Sequence, residues 1–198
     1  MSTLFGSSQL LECYRRGVFP MADSQDDPHI YLLDPDERGI IPLDGLKISR
    51  SLAKRLRKNE FTIRFNADFD GTLADCAKPS IGRENTWINA PIARLYSDLH
   101  RQGHAHSVEA YLDDERVGGL YGVSIGGAFF GESMFSLRTD ASKVALVALV
   151  ERLNARGFTL LDTQFITDHL RTLGGIEVSR ADYQAMLQDA ITIQARFD

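Results

Sequence analysis

The stretch Ser107–Phe135, SVEAYLDDERVGGLYGVSIGGAFFGESMF, decides the fold class. Within it Ser107 to Leu112, Arg116 to Ser124 and Ala128 to Phe135 read as strands, joined by Asp113-Asp114-Glu115 and by Gly126-Gly127. Apolar and β-branched runs separated by such short turn formers predict a meander of three strands. Asp140 or Ser142 can then open a helix carrying Val144, Leu146, Val147, Val150 and Leu153, with Gly157 to close it, and Phe158 to Phe165 reads as a further strand. Strands in a row, then a helix, then another strand predict an α+β chain with a mixed sheet. The sheet of an N-acetyltransferase fits that order, and so do several other folds.

Outward from this centre, Asn89 can cap a helix in which Ile92, Leu95, Tyr96 and Leu99 share a face, ending at Gly103. Ser49 or Ser51 can cap a basic helix running to about Lys58, and Phe61 to Phe65 alternates as a half-buried strand does. Ser179, with Asp182 three residues on, caps a last helix. The first 46 residues are different: Phe19-Pro20, Asp27-Pro28, Asp34-Pro35-Asp36 and Ile41-Pro42 interrupt them, and only Ser8 to Arg16 reads as helix. Residues 1–46 are therefore expected to form a small irregular N-terminal domain, and residues 47–198 the main one.

The 198 residues are 43% apolar, enough for a substantial core. No run of about 18 apolar residues is present, which excludes a membrane-spanning helix. The segment Met1 to Gln9 lacks a basic region followed by an apolar one, so no signal peptide is expected. Cys13 and Cys76 offer neither a disulfide framework nor a zinc spacing, as suits reduced thiols in the cytosol. The net charge is −5, yet Lys47 to Arg64 holds seven basic residues and one acidic, Glu60. That stripe is either a solvated helix face or a surface for phosphates.

Three places can carry chemistry. Asp162 and Gln164 lie two apart on an apolar strand and so emerge on one face. The carboxylate can orient and polarise the amide, whose oxygen then accepts from an attacking amine; alternatively the pair satisfies buried backbone groups. Glu132 stands among Phe129, Phe130, Met134 and Phe135, where a carboxylate needs a cation. A ligand's ammonium would serve, and so would Arg138 or Lys143. His104 and His106 form an H-x-H pair with no evident third ligand, so both are read as structural and no metal is expected. Trp87 and Tyr96 suit either core packing or stacking on a nucleobase.

Taken together, Tyr14-Arg-Arg-Gly17-Val-Phe-Pro20-Met21, Thr86-Trp87-Ile88, Gly103-His-Ala-His106-Ser107-Val-Glu109 and Val117-Gly-Gly-Leu-Tyr-Gly122-Val123 come in a telling order. Phe130-Gly-Glu-Ser-Met-Phe-Ser136, Ala141-Ser-Lys143, Asp162-Thr-Gln164 and His169-Leu-Arg-Thr-Leu-Gly174 follow them. The series, from about residue 10 to about residue 187, resembles the leucyl/phenylalanyl-tRNA–protein transferases. The resemblance implies a small N-terminal domain joined to a domain of N-acetyltransferase-like fold. It implies transfer of Leu or Phe, sometimes Met, from aminoacyl-tRNA to proteins beginning with Arg or Lys. The product is a degradation signal, made without metal or cofactor. Separately from the resemblance, no large apolar surface stripe is left over, so a monomer is expected, in the cytoplasm as the cysteines suggest. The resemblance assigns Asp162 and Gln164 to activating the acceptor's α-amine, and Glu132 with Ser133 to binding substrate. It places Leu120, Gly131, Leu146, Leu149, Leu153 and Leu161 around the aminoacyl side chain. Trp87, Tyr96 and Phe129 would stand near the terminal adenosine, and Arg50, Lys54, Arg55, Arg57 and Lys58 by the acceptor stem. On that reading Asp162→Ala slows transfer and leaves the fold intact.

The chain departs from the family at Tyr31-Leu-Leu-Asp-Pro35, where a Trp-Trp-Ser-Pro-like segment is usual, and at Asn85, where Gly is common. An acetyl-CoA enzyme of the same fold would need a glycine-rich phosphate cradle ahead of its helix, and Leu137-Arg-Thr-Asp-Ala-Ser142 contains no glycine. A silent tRNA- or peptide-binding derivative is the other alternative, and the retained Asp162 and Gln164 weigh against it.

Overall fold

The computed structural model describes residues 5–79 and 85–198; Met1 to Leu4, the start of the segment read for a leader, lie outside them. In chain order the elements begin with α1 (Ser7–Arg15), β1 (Phe19–Met21), β2 (Tyr31–Leu33), β3 (Glu37–Ile40), α2 (Arg50–Lys58), β4 (Thr62–Phe65), α3 (Phe69–Ala77) and α4 (Ala90–Arg101). They continue with β5 (Ala105–Leu112), β6 (Glu115–Ile125), β7 (Ala128–Ser136), α5 (Ala141–Ala155), β8 (Leu160–Gln164), α6 (Asp168–Thr172), β9 (Ile176–Ser179) and α7 (Arg180–Ile191). Seven strands form one sheet in the order β4-β5-β6-β7-β8-β3-β9, antiparallel except where β7 meets β8. The α+β class and the mixed sheet are as expected.

Local chemistry accounts for most boundaries. Ser49, Asn89 and Ser179 each take a backbone N–H of the first helical turn, from Leu52 (3.2 Å), Ile92 (2.8 Å) and Asp182 (3.1 Å). Asp140 precedes α5 in the left-handed region, and its carboxylate bonds Lys143 (2.9 Å) rather than capping the helix.

The N-terminal region holds the main surprise. Residues 37–40, within the stretch expected to be irregular, form β3 and enter the large sheet between β8 and β9. The hairpin of β1 and β2 stays outside that sheet. The segment Glu37-Arg-Gly-Ile40 is too short and too polar to show a strand period.

Two cores flank the sheet. On one face Leu10 and Tyr14 of α1 pack with Leu73 of α3, Ile92 and Leu99 of α4, and Tyr183 and Leu187 of α7. On the other, Leu146, Leu149, Val150 and Leu153 of α5 pack with Leu52 of α2 and Phe197 of the C-terminal tail. Among the described residues no helix is long and apolar enough to cross a membrane.

His106 belongs to this second core and is structural. Its ring stacks on Phe197 (4.3 Å) and bonds Asn66 (3.1 Å) and Ser124 (3.1 Å). Burial holds its pKa down to about 4. The folded protein therefore keeps His106 neutral where the unfolded chain, near 6.5, takes up a proton. Its contribution is present above pH 6.5 and lost as pH falls toward 4, about 3 kcal/mol in all. Urea midpoints at pH 7.5 and pH 4.5 should differ accordingly, and His106→Asn should flatten the difference.

Candidate active site

The site is built where two sheet irregularities meet. Strands β7 and β8 pair in parallel only from Ala128↔Leu160 to Phe130↔Asp162. Beyond that a cavity of about 330 Å³ opens, walled by Gly131 to Met134 on one side and Thr163 to Phe165 on the other. Between β6 and β7 the register jumps from Gly122↔Gly131 to Tyr121↔Ser133, leaving Glu132 as the extra residue of a bulge. A bulge turns its residue out of the regular alternation, and here it aims Glu132 at the cavity. Gly122 makes the bulge possible, since a Cβ there would lie 2.3 Å from the Phe130 carbonyl oxygen.

Among the described residues, Glu132 finds no cation at hydrogen-bonding distance. Its Oε1 accepts from the Tyr14 hydroxyl (2.6 Å) and from the Gln164 amide (3.2 Å), and its Oε2 accepts from the Tyr96 hydroxyl (2.7 Å). The two hydroxyls also touch each other at 2.7 Å. Arg138 bonds its neighbour's carbonyl and Lys143 pairs with Asp140, so neither supplies the charge that the sequence suggested. Burial pushes the Glu132 carboxyl up to about 7, against the two tyrosine donors; Asp162 adds to the rise and Arg38 opposes it. Burial also raises both phenols well above their usual range, so they remain O–H donors.

Asp162 has a different environment. It is fully buried, and Arg38 grips it from Nε (3.0 and 3.2 Å) and from the second guanidinium nitrogen (2.7 Å). The Tyr183 hydroxyl (2.6 Å) and the Gln164 backbone N–H (2.8 Å) complete its shell. Arg38, 1% exposed, lies between the rings of Phe19 (4.5 Å) and Tyr183 (4.4 Å) and donates to the Gly17 carbonyl (2.6 Å). Asp162 therefore does not hold the Gln164 amide, which corrects the sequence reading. Gln164 ends β8 in the left-handed region at φ 58°, and its amide turns to Glu132.

Of the residues expected around the aminoacyl group, Leu120, Gly131, Ser133, Leu146, Leu149 and Leu161 line the cavity. Leu153 does not: it is fully buried in the α5 core. Trp87 lines the cavity, edge-on to Tyr96. Tyr96 and Phe129 are fully buried, so neither ring offers a face for stacking; Tyr96 serves through its hydroxyl, and Phe129 stacks on Phe197 (5.5 Å). On α2, Arg50, Lys54, Arg57 and Lys58 are exposed and Arg55 is half-buried. Arg55 (2.6 Å) and Lys58 (3.2 Å) share Glu60, so Arg50, Lys54 and Arg57 present the freer charges.

Sequence reasoning missed the second layer: Tyr14, Arg38 and Tyr183. Tyr14 opens the first motif of the chain, but nothing local links it to Glu132, 118 residues away. Among the described residues no group of three or more His, Cys, Asp or Glu side chains is placed to hold a metal. The first amides of α5 are already taken: Ala141 donates to the Arg138 carbonyl (3.1 Å), Ser142 to the Ser136 hydroxyl (3.2 Å) and Val144 to the Asp140 carbonyl (2.9 Å). A pyrophosphate cradle of the acetyl-CoA kind does not fit there.

Known proteins resemble this chain in fold and in sequence. The solved structure of L-PGS from Bacillus licheniformis superposes with a TM-score of 0.50 at 11% identity, over 79% of this chain and 65% of that one. That likeness concerns the fold alone. The leucyl/phenylalanyl-tRNA–protein transferase of Maricaulis maris (strain MCS10) is 59% identical over 98% of this chain and 89% of its own length. That of Ruegeria sp. (strain TM1040) is 59% identical over 92% of this chain and 85% of its own. A model of the transferase's N-terminal domain matches residues 8–36, and the leucyl/phenylalanyl-tRNA protein transferase model matches residues 40–188, the gap between them falling within β3. The chain belongs to the leucyl/phenylalanyl-tRNA–protein transferase family.

Proposed function

We propose that this protein transfers Leu or Phe, and Met to a lesser extent, from aminoacyl-tRNA to the α-amino group of proteins beginning with Arg or Lys. The observation that carries the proposal is a single cavity with two chemistries. Leu120, Leu146, Leu149 and Leu161 make an apolar wall, while Glu132 and Gln164 bring a carboxylate and an amide to the same space. The apolar wall accepts the aminoacyl side chain, and the carboxylate attracts the cationic acceptor. An aliphatic pocket separates side chains differing by a methylene by about 1–3 kcal/mol, so Leu, Met and Phe are all used and none exclusively.

The ester of aminoacyl-tRNA is already activated, so the work left to the protein is placement. Gln164, held by Glu132 and by its own strained backbone, has its amide at the cavity to orient the amine. Asp162 acts through Gln164: by taking its backbone N–H it fixes where that amide stands. Trp87 is the one expected adenosine contact that lines the cavity, and it stacks the terminal base. Arg50, Lys54 and Arg57 of α2 meet the acceptor stem. The enzyme acts as a monomer in the cytosol, where cysteines outside disulfides such as Cys13 and Cys76 stay reduced, and its products enter N-terminal-residue-dependent proteolysis.

Label transfer tests the reaction. Radiolabelled leucyl- and phenylalanyl-tRNA are offered with peptides beginning Arg, Lys, Asp or Ala. Label on the Arg and Lys peptides alone is the expected result. Retained tRNA binding without transfer to any peptide would replace the enzyme with a silent binding protein.

A further inference from the structure

The ring of oxygens at Glu132 has a proton count that its role as a binding charge does not explain. Four oxygens (Tyr14 Oη, Tyr96 Oη and the two of Glu132) make three contacts of 2.6, 2.7 and 2.7 Å. Each contact that short needs a hydrogen between its oxygens. The two tyrosines have one apiece. The third must come from the carboxyl group, so the ring closes fully only when Glu132 carries a proton. The site is thus arranged around the protonated carboxyl, as a group that has just received a proton would be.

The acceptor arrives as an ammonium and must lose a proton before it can attack. Asp162 is not placed to take it: it is fully buried, does not line the cavity, and is paired with Arg38. Gln164 has no basic atom. We infer that Glu132, closed into a ring with Tyr14 and Tyr96, is the base that deprotonates the acceptor's α-ammonium, a catalytic role beyond binding its charge. The inference rests on the transfer reaction proposed above. Carboxylate and ammonium become carboxylic acid and neutral amine. The amine nitrogen then bonds the acyl carbon, the bond to the 3′-oxygen breaks, and that oxygen leaves with the electron pair and takes the second nitrogen proton. Glu132 returns the first proton to water when the product departs.

The environment supports this. Facing Glu132 are Tyr14 from α1, Tyr96 from α4, Gln164 and Asp162 from β8 and Arg38 from β3, with Tyr121 of β6 beside the tyrosines. Burial outweighs the donors and brings the carboxyl to about 7, close to the pH at which a base is most useful.

The test is Glu132→Gln under saturating Arg-starting peptide, from pH 6.5 to 8.5. The expected kcat falls on the order of 10²-fold at pH 6.5. The deficit should shrink toward pH 8, where water itself supplies the neutral amine. A raised KM with unchanged kcat at every pH would overturn the inference and leave Glu132 a binding charge. Tyr96→Phe keeps the base but opens the ring, so the protonated carboxyl loses the contact that its hydrogen closes. Its acidic limb should therefore move down by about one pH unit; a limb that stays, or that moves up as loss of a simple donor to the carboxylate would give, would overturn the ring. If the parent protein transfers nothing to any peptide, the proposed reaction itself fails and the inference falls with it.

Discussion

Replacing Arg38 with methionine is expected to lower the melting temperature by about 10 °C and to abolish transfer at 37 °C. Among the described residues Arg38 is the one cation paired with Asp162, and both are out of water. Removing one member of a buried pair leaves an uncompensated charge, typically at a cost of about 3–5 kcal/mol. A chain of this size loses roughly 2–4 °C per kcal/mol. The loss is not confined to one contact. Arg38 also donates to Gly17 and sits between Phe19 and Tyr183, so it joins the N-terminal segment, β8 and α7 at one point. The same logic changes the outlook for Asp162→Ala. Read from the sequence, that change slows chemistry in an intact fold; in the structure it strands Arg38 and should destabilise nearly as much. Arg38→Met combined with Asp162→Leu decides the matter, because removing both charges should recover most of the lost stability. A double variant as unstable as the sum of the singles would mean that ring packing around the guanidinium, and not the charge pair, holds the junction.

This network marks the limit of what the chain's own pattern discloses. The three-strand meander, the apolar α5 and the capped helices were legible because each depends on neighbours within a few residues. Ser49, Asn89 and Ser179 announce their helices whatever the rest of the molecule does. Glu132 and Gln164 were visible as oddities for a similar reason: a carboxylate and an amide stand out against Phe and Leu. Their partners were not visible. The Tyr14–Glu132 and Arg38–Asp162 contacts span 118 and 124 residues, and the Asp34-Pro35-Asp36-Glu37 context of Arg38 reads as solvated loop. Alternation placed residues 162 and 164 on one face, but it could not foresee that Gln164 leaves the strand with positive φ and turns to a different carboxylate. Phe129 failed as a stacking platform because strand alternation turns it toward the α5 core, where Phe197 covers it.

Glu132→Gln, the variant expected to lose activity, should at the same time be more stable than the parent at pH 8. The sign follows from the direction of the shift. A carboxyl raised from 4.5 to about 7 binds its proton more tightly in the folded state than in the unfolded one. Folding therefore carries no penalty from this group below pH 4.5, and a growing one as pH rises through 7. The full shift corresponds to about 3 kcal/mol, and partial exposure at the cavity reduces that to about 2 kcal/mol. Glutamine has the same shape and accepts from one tyrosine while donating to the other, so the neutral ring is kept at every pH. The parent's melting temperature should thus fall between pH 5 and pH 8 relative to that of Glu132→Gln, by about 4–8 °C. A variant less stable than the parent at pH 8 would mean that the carboxylate, held by Tyr14, Tyr96 and the nearby Arg38, is the state the fold prefers. The expected pairing of gain and loss has a physical basis: a base that must release its proton near neutral pH has to be held where its charge is poorly solvated. The strain that makes Glu132 reactive is then the same strain that its removal relieves.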